Sequence, residues 1–160
     1  MTFSKSMLSR LQYQHETIGE LIAGLTEERL RRRINPDKWS AFENIAHLAA
    51  YQPVFISRLE KILQGPSPTF DRYVGENDPL FPAALERSLP DLLMDIQGRR
   101  AGIIDLLTGM DKTALKNTGR HPRYGLLTVT QWTEFFLLHE AHHLFTLFIL
   151  VQELHSVAHR

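Results

Sequence analysis

The residues best suited to chemistry are three histidines in an apolar run near the C-terminal end of the chain, Trp132 to Phe145. His139 and His143 are four residues apart, so on a helix their imidazoles project side by side from one face. This is the spacing by which a helix offers two nitrogen ligands to one metal ion. His142 is the other available partner of His139, at the less usual spacing of three. A buried, hydrogen-bonded histidine is the alternative, but clustered imidazoles favour a transition-metal site.

The charge balance argues against nucleic acid as a partner. The chain has 160 residues, with 18 basic and 18 acidic side chains and a formal charge of zero. A nucleic-acid surface needs a basic excess on one face. The only basic cluster, Arg29–Arg33, follows two glutamates and is typical of a solvated helix face.

Composition further predicts a cytoplasmic protein outside the membrane. There is no cysteine, which excludes disulfides, thiolate ligands and a cysteine nucleophile. The N-terminus lacks the apolar core of a signal peptide. The longest apolar stretch, Phe135 to Val151, contains histidines and a glutamate and is short for a membrane span.

Apolar residues recur at helical spacing, which predicts one all-α domain over residues 1–160, built as a four-helix bundle. Ser40 with Glu43 forms a capping box, and Ser88 and Thr128 are predicted to cap the two later helices. No segment shows the alternation of a strand. The predicted helices span residues of about 4–25, 40–63, 88–108 and 129–153.

Two features of the helices bear on their arrangement. A long, proline-punctuated connection, residues 64–87, joins the second and third helices, and such a length permits a crossover between parallel neighbours. The last helix is apolar on more faces than one bundle buries, because Leu137, Phe145 and Phe148 lie outside its histidine face. This predicts a homodimer interface that includes the last helix.

The remaining histidines lie in different environments. His15 occupies an inward position on the first helix, where it could be a hydrogen-bond partner of a metal ligand or simply a buried imidazole. His47 lies on the flank of the second helix's apolar stripe, so a metal site that uses it must lie toward one side or end of the bundle. His121, in a loop, either lines a pocket or is exposed. His155 and His159 are predicted to be solvated and have no role.

Two segments resemble the DinB/YfiT-like superfamily. Trp39–Leu48 is similar to the WSxxExxxHL stretch that opens the second helix of that family. His121–Thr128 is similar to its HPxxG loop, and His139–Leu144 to the HxxxH of its final helix. The order and spacing of these motifs match as well. The resemblance implies an up-down-down-up four-helix bundle, in agreement with the long connection between helices two and three.

The resemblance also implies a divalent metal, zinc or nickel, held by His47, His139 and His143. Members are often dimers, and for this chain we expect a small-molecule substrate. Some are DNA-damage-inducible proteins, some are metal-dependent hydrolases, and some are transferases or isomerases that use a low-molecular-weight thiol as cosubstrate. This chain departs from many members at Thr146, where they have glutamine.

A triad of neutral imidazoles without a protein carboxylate leaves coordination positions open, as in catalytic zinc sites. Such a metal would bring the pKa of bound water toward roughly 7, or stabilise the thiolate of a cosubstrate. Protonation of the histidines below about pH 6 is expected to release it. Glu140 and Tyr51 are the candidate catalytic residues. Other candidates, for hydrogen bonds to the ligands or for the pocket wall, are Glu43, His15, His121 and His142.

A zinc protease is a second interpretation, because His139-Glu140-Ala-His-His143 satisfies the HExxH pattern in which Glu is the general base. The extended form of that motif needs a histidine at position 149, which is Ile149. The residues after His143 are too few for the downstream subdomain from which many proteases of this type supply a third ligand.

A third interpretation is a non-enzymatic helical module, of binding or stress function, in which the histidines are structural. It is motivated by the absence of a dedicated nucleophile, phosphate loop or cofactor fingerprint in the sequence.

Overall fold

The computed structural model describes residues 3–157, so His159 lies outside the described residues. Four long helical segments dominate it, as the sequence predicts. The helices are α1 (Lys5–Tyr13), α2 (Thr17–Leu21), α3 (Glu27–Arg31), α4 (Ala41–Gln64), α5 (Leu80–Leu85), α6 (Leu89–Thr108) and α7 (Val129–Val157). Strands β1 (Thr118–His121) and β2 (Gly125–Thr128) form an antiparallel pair.

The first predicted helix, residues 4–25, is not continuous. A 3₁₀ turn, Gln14–Glu16, separates α1 from α2, and Gly24 follows with a φ of 81°. The residues around the turn, Tyr13, His15, Thr17 and Gly19, are weak helix formers. The side-chain amide of Gln14 donates to the Leu137 carbonyl of α7, at 2.9 Å. Local propensity and this tertiary contact together account for the break.

The direction of each long helical segment can be read from two clusters of buried apolar side chains, because each of these segments contributes to both of them in turn. The first cluster includes Ile18, Ile45, Leu92 and Leu147. The second cluster includes Leu11, Phe55, Ile103 and Phe136. The chain therefore passes from the second cluster to the first along α1–α2, from first to second along both α4 and α6, and back along α7. This is the up-down-down-up arrangement.

The helix starts agree with their capping signals. Ser40 and Glu43 form both hydrogen bonds of the capping box at α4. The Ser88 hydroxyl accepts the amide hydrogen of Asp91, and the Thr128 hydroxyl accepts that of Gln131. These side chains satisfy backbone donors that the first turn of a helix leaves free.

The hairpin β1–β2 corrects the prediction that the chain contains no strand. Its four-residue strands are too short to show alternation, and the turn depends on Gly125, which has a φ of 75°. Arg120 of β1 donates to the Pro68 carbonyl at 2.8 Å, and Phe70 donates to the Arg120 carbonyl at 3.0 Å. The hairpin is thereby tied to the connection between α4 and α6.

That connection must be long because α4 and α6 run parallel. The chain leaves α4 at one end of the bundle and has to return along about 36 Å of helix before α6 begins. On the way it lies against the flank of α4, where it builds one wall of the cavity described next.

One side of α7 remains unpacked. Leu138 is 58% exposed and Phe145 is 64% exposed, and Phe148 and Ile149 are also exposed. By length and composition, Val129–Ser156 is the one helix of the described chain that could cross a membrane, with a mean hydropathy of 1.3. Its opposite side supplies side chains to both core clusters. The helix is therefore an element of the bundle core.

Candidate metal centre

Three histidines converge where the two core clusters meet. His47 lies on α4, and His139 and His143 lie one turn apart on α7, which packs antiparallel to α4. Their candidate ligand atoms all lie within 4.8 Å of one another. The Nε2 atoms of His47 and His139 are 3.0 Å apart, and the ring centroids of His47 and His143 are 4.4 Å apart. The fold thus joins the i, i+4 pair of α7 to a third imidazole.

Asn44 fixes the orientation of one ring. Its side-chain Nδ2 donates to the Ser40 carbonyl at 2.8 Å, which directs Oδ1 to the Nδ1 atom of His143, also at 2.8 Å. Nδ1 of His143 must therefore carry the proton that it donates, and Nε2 keeps the free lone pair. This is how a metal-ligating histidine is commonly held.

The other two rings have buried nitrogens without partners. Among the described residues, neither Nδ1 of His47 nor Nδ1 of His139 has a hydrogen-bond partner. Burial lowers the pKa of His47 to about 4. Burial, with the neighbouring histidines, lowers the pKa of His139 to about 3 and that of His143 to about 2.

The donor set fits a divalent transition metal. At neutral pH all three imidazoles are neutral, which is the form that binds a metal. Three nitrogen donors without a carboxylate suit zinc, nickel or copper better than magnesium or calcium, which prefer oxygen. The residues present therefore match the metal that the sequence implied.

The triad lies at a cavity of about 810 Å³ on one side of the bundle. This agrees with the position of His47 on the flank of its helix. The connection between α4 and α6 and the turn of the hairpin form the outer walls. Besides the triad, the wall includes Trp39, Tyr51, Arg58, Arg72, Tyr73, Gly75, Glu76, His121, Arg123, Tyr124, Phe135 and His142.

Trp39 and Gly75 hold the His47 ring in place. The Trp39 ring centroid lies 5.0 Å from that of His47. A Cβ atom built on Gly75 would lie 2.7 Å from Trp39 Cη2 and 2.8 Å from His47 Nδ1. Only glycine lets the connection approach this closely.

Three of the other candidate residues line the cavity, namely the candidate catalytic residue Tyr51 and the candidate pocket residues His121 and His142. The Tyr51 ring lies 4.4 Å from that of His139, and burial raises the pKa of its phenol, so Tyr51 keeps its proton at neutral pH. His121 accepts amide hydrogens of Arg123 and Tyr124 through Nδ1, at 3.1 and 3.2 Å, which leaves its proton on Nε2. His142 lies exposed at the rim, outside the triad.

Glu140 is placed differently from the prediction. It is buried away from the cavity, where it forms an ion pair with Arg100 and accepts a hydrogen bond from Gln14 at 2.9 Å. A carboxylate held by a guanidinium cannot serve as a base at the triad. The HExxH interpretation loses its general base, since successive helix positions, 139 and 140, face about 100° apart.

His15 and Glu43 also lie outside the metal centre. His15 lines a separate cavity of about 210 Å³ beside Ile96, and burial, with the nearby Arg100 charge, lowers its pKa to about 4. The Glu43 carboxylate accepts the Ser40 amide hydrogen at 2.7 Å and pairs with Arg33. Capping fully accounts for Glu43, and the inward position of His15 makes it a buried imidazole.

Sequence reasoning missed several residues of the site, among them Asn44, Arg58, Tyr73 and Gly75. Asn44 precedes His47 by three residues, so the two share a helix face, and this spacing was the available signal. Arg58 and Tyr73 carry no local signal, because their neighbours in space come from distant segments.

Comparison with known proteins identifies a family and related solved structures. The model of the DinB superfamily matches residues 10–147. The solved structure of YfiT from Bacillus subtilis has a TM-score of 0.78 and 16% identity, over 98% of this chain and 90% of that one. It is described as a probable metal-dependent hydrolase with an unusual four-helix bundle topology. No curated protein matches the chain.

Proposed function

The chain belongs to the DinB superfamily, and from this premise we propose that it is a metal-dependent enzyme, a hydrolase or a thiol-dependent transferase. A divalent ion, zinc or nickel, is held by His47, His139 and His143. One observation carries the proposal, namely the three neutral imidazoles that meet at a cavity without a carboxylate among them. That donor set leaves coordination positions for water or substrate.

The bound ion would supply Lewis acidity, which polarises a substrate oxygen and lets water or a thiol ionise near neutral pH. The chain supplies the surroundings. Tyr51 offers a buried phenol as a hydrogen-bond donor beside His139. The Tyr73 hydroxyl donates a hydrogen bond to the Asp78 carboxylate at 2.7 Å, which holds this ring in place as part of the wall. Glu76 is the only carboxylate among the lining residues that the structure describes.

Both reaction classes are consistent with these residues. The hydrolase draws support from YfiT, whose description names that activity, although the likeness at 16% identity extends only to the fold. The transferase requires a separate thiol cosubstrate, because the chain has no cysteine. The cavity of about 810 Å³ lies within the usual size range of small-molecule sites.

Metal content tests the proposal. We expect purified protein to hold about one zinc or nickel ion per chain by elemental analysis, and His139→Ala and His47→Ala to lose it while circular dichroism stays helical. His155→Ala is the matched control, since this histidine is exposed at the far end of α7. Full metal in both triad variants would refute the site.

Activity separates the enzyme from a binding module. Metal-loaded protein would be screened with hydrolase substrates, and with electrophiles plus a thiol, against the His139→Ala variant. A metal-dependent turnover in either screen identifies the class. Tight metal binding without turnover in both would favour a non-enzymatic module.

We also propose a homodimer through the exposed face of α7, defined by Leu138, Phe145, Phe148 and Ile149. These positions follow helical spacing and form one apolar stripe. Phe145→Glu is expected to give a monomer by light scattering coupled to gel filtration, whereas Met94→Glu, at an isolated exposed position on α6, leaves the mass unchanged. A wild-type monomer at micromolar concentration would contradict the dimer.

A cytoplasmic location without nucleic-acid or membrane partners stays a prediction.

A further inference from the structure

The structure contains two deeply buried arginines with different surroundings. Arg100 is fully buried and has the Glu140 carboxylate as its partner. Arg58, on α4, is only 8% exposed, yet no carboxylate among the described residues lies within ion-pairing distance of it. A buried charge is costly unless it is paired. Asp71 and Asp78 line a second cavity together with Arg58, but neither carboxylate pairs with it directly. Arg58 therefore has no direct ion-pair partner among the described residues.

Neighbouring groups hold the Arg58 side chain in one place. Nη1 donates to the Tyr51 hydroxyl at 3.4 Å, and Nη2 donates to the Asp71 carbonyl at 3.2 Å. The guanidinium carbon lies 5.3 Å from the centroid of the Trp132 ring and 5.4 Å from that of Phe70. Two of the five N–H donors of the fork are thus engaged, and the others remain for a ligand.

This guanidinium lines the same cavity as the triad. Its partner Tyr51 lies between Arg58 and the His139 ring. Two further arginines, Arg72 and Arg123, line the wall against the single carboxylate of Glu76. The cavity is therefore positive on balance before any metal is bound, and its aromatic wall suits an apolar body.

We propose that Arg58 binds a carboxylate of the substrate, an organic acid with an apolar or aromatic body whose other end reacts at the triad. One buried guanidinium balances one negative charge, and its planar fork matches a carboxylate. Tyr51 supplies a second donor next to the same group. The inference rests on the proposed function for the location of the reaction, whereas anion binding at Arg58 stands on the buried charge alone.

Anion binding can be measured without metal. Benzoate is titrated into chelator-treated protein, with its neutral counterpart benzamide and with inorganic phosphate as comparisons. Both tryptophans of the chain report on this region, since Trp39 lines the cavity and Trp132 lies beside Arg58. Tryptophan fluorescence and calorimetry then give the affinities. We expect benzoate to bind more tightly than either comparison compound.

Variants assign the binding to Arg58. R58Q is expected to weaken benzoate binding by about 10- to 100-fold, the range for a lost charge-assisted hydrogen bond. R58K, which keeps the charge but not the fork, should lie between R58Q and wild type. R120Q is the control, because Arg120 is exposed on β1 and outside the cavity. It should bind benzoate as wild type does.

The outcomes distinguish this inference from the proposed function. Benzoate binding no tighter than that of benzamide or phosphate would overturn the inference, as would unchanged benzoate binding in R58Q and R58K. If R58Q does not fold by circular dichroism, R58K alone decides. If the protein retains metal at His47, His139 and His143 but does not bind benzoate, only the anion site is refuted. If benzoate binding depends on Arg58 but the protein never takes up metal, the anion site is supported and the metal-dependent enzyme is refuted.

Discussion

At the residue scale, the candidate metal centre depends on which nitrogen of each imidazole carries a proton. Asn44 determines this for His143, because its amide is itself oriented by the Ser40 carbonyl. Partners of this kind hold the ring and raise the basicity of the ligating nitrogen. The same serine caps α4, so the start of that helix and the metal centre share one residue.

Asn44→Ala should therefore weaken zinc binding by about 10- to 100-fold with little loss of helix. Asn44→Asp, which keeps an oxygen acceptor for the His143 proton, should retain more affinity than Asn44→Ala. Competition with a chromogenic chelator measures both. Equal zinc affinity in wild type and Asn44→Ala would show that Asn44 does not support the site.

His15 shows how a buried imidazole links stability to pH. Its pKa is lowered from 6.5 to about 4, so between these values the unfolded chain binds a proton that the folded chain does not. The free energy of unfolding therefore rises with pH across this window. The contribution of His15 is complete above about pH 6.5 and is lost as the pH falls toward 4.

For metal-free protein we expect the urea midpoint to be lower at pH 5 than at pH 7.5. His15→Asn, which cannot take up a proton, should reduce the difference between the two midpoints. An identical difference in wild type and His15→Asn would mean that His15 does not titrate in this way.

At the element scale, the loops shape the site as much as the helices do. The connection between α4 and α6 brings Gly75 against His47, and the hairpin brings His121 to the opposite wall. The hydrogen bonds between Arg120 and residues 68 and 70 keep these two walls together. The connection length that parallel helices require thus also provides one wall of the cavity.

Gly75→Ala should disturb this contact, since its Cβ would lie 2.8 Å from His47 Nδ1. We expect a loss of about 1–3 kcal/mol in the free energy of unfolding, as for other overpacked sites, together with weaker zinc binding. Gly65→Ala, in the same connection but with no atom within 4 Å of the new Cβ, is the control. If the two variants behave alike, the close approach of Gly75 has no consequence.

At the scale of the whole molecule, the ion pair of Arg100 and Glu140 joins three elements. Arg100 of α6 also donates to the Leu11 carbonyl of α1 at 3.1 Å, and Glu140 belongs to α7. The pair is sealed in the core, and Gln14 satisfies the second carboxylate oxygen at 2.9 Å. The pair therefore links α1, α6 and α7 through polar contacts inside the core.

Glu140→Gln should reduce the free energy of unfolding by about 3–5 kcal/mol, because it leaves the Arg100 charge buried without a counter-charge. The double variant Arg100→Met with Glu140→Leu removes both charges and should recover most of that loss. Urea unfolding at constant pH measures the cycle. A double variant less stable than Glu140→Gln would contradict this explanation.

The sequence alone determined the helical class, the caps at Ser40, Ser88 and Thr128, and the pairing of His139 with His143. All of these follow from contacts within one or two turns of a helix, which local spacing encodes. The family resemblance added His47, which no periodicity connects to residue 139.

Tertiary structure decided which polar groups face which. Glu140 was predicted to lie at the metal but pairs with Arg100. Arg58 lines the cavity, although nothing in the sequence predicted it there. Adjacent positions on one helix face different neighbours, and the neighbours come from segments about 40 to 90 residues away. Such pairings depend on how the helices are rotated and crossed, a property of the packed core and not of any one segment.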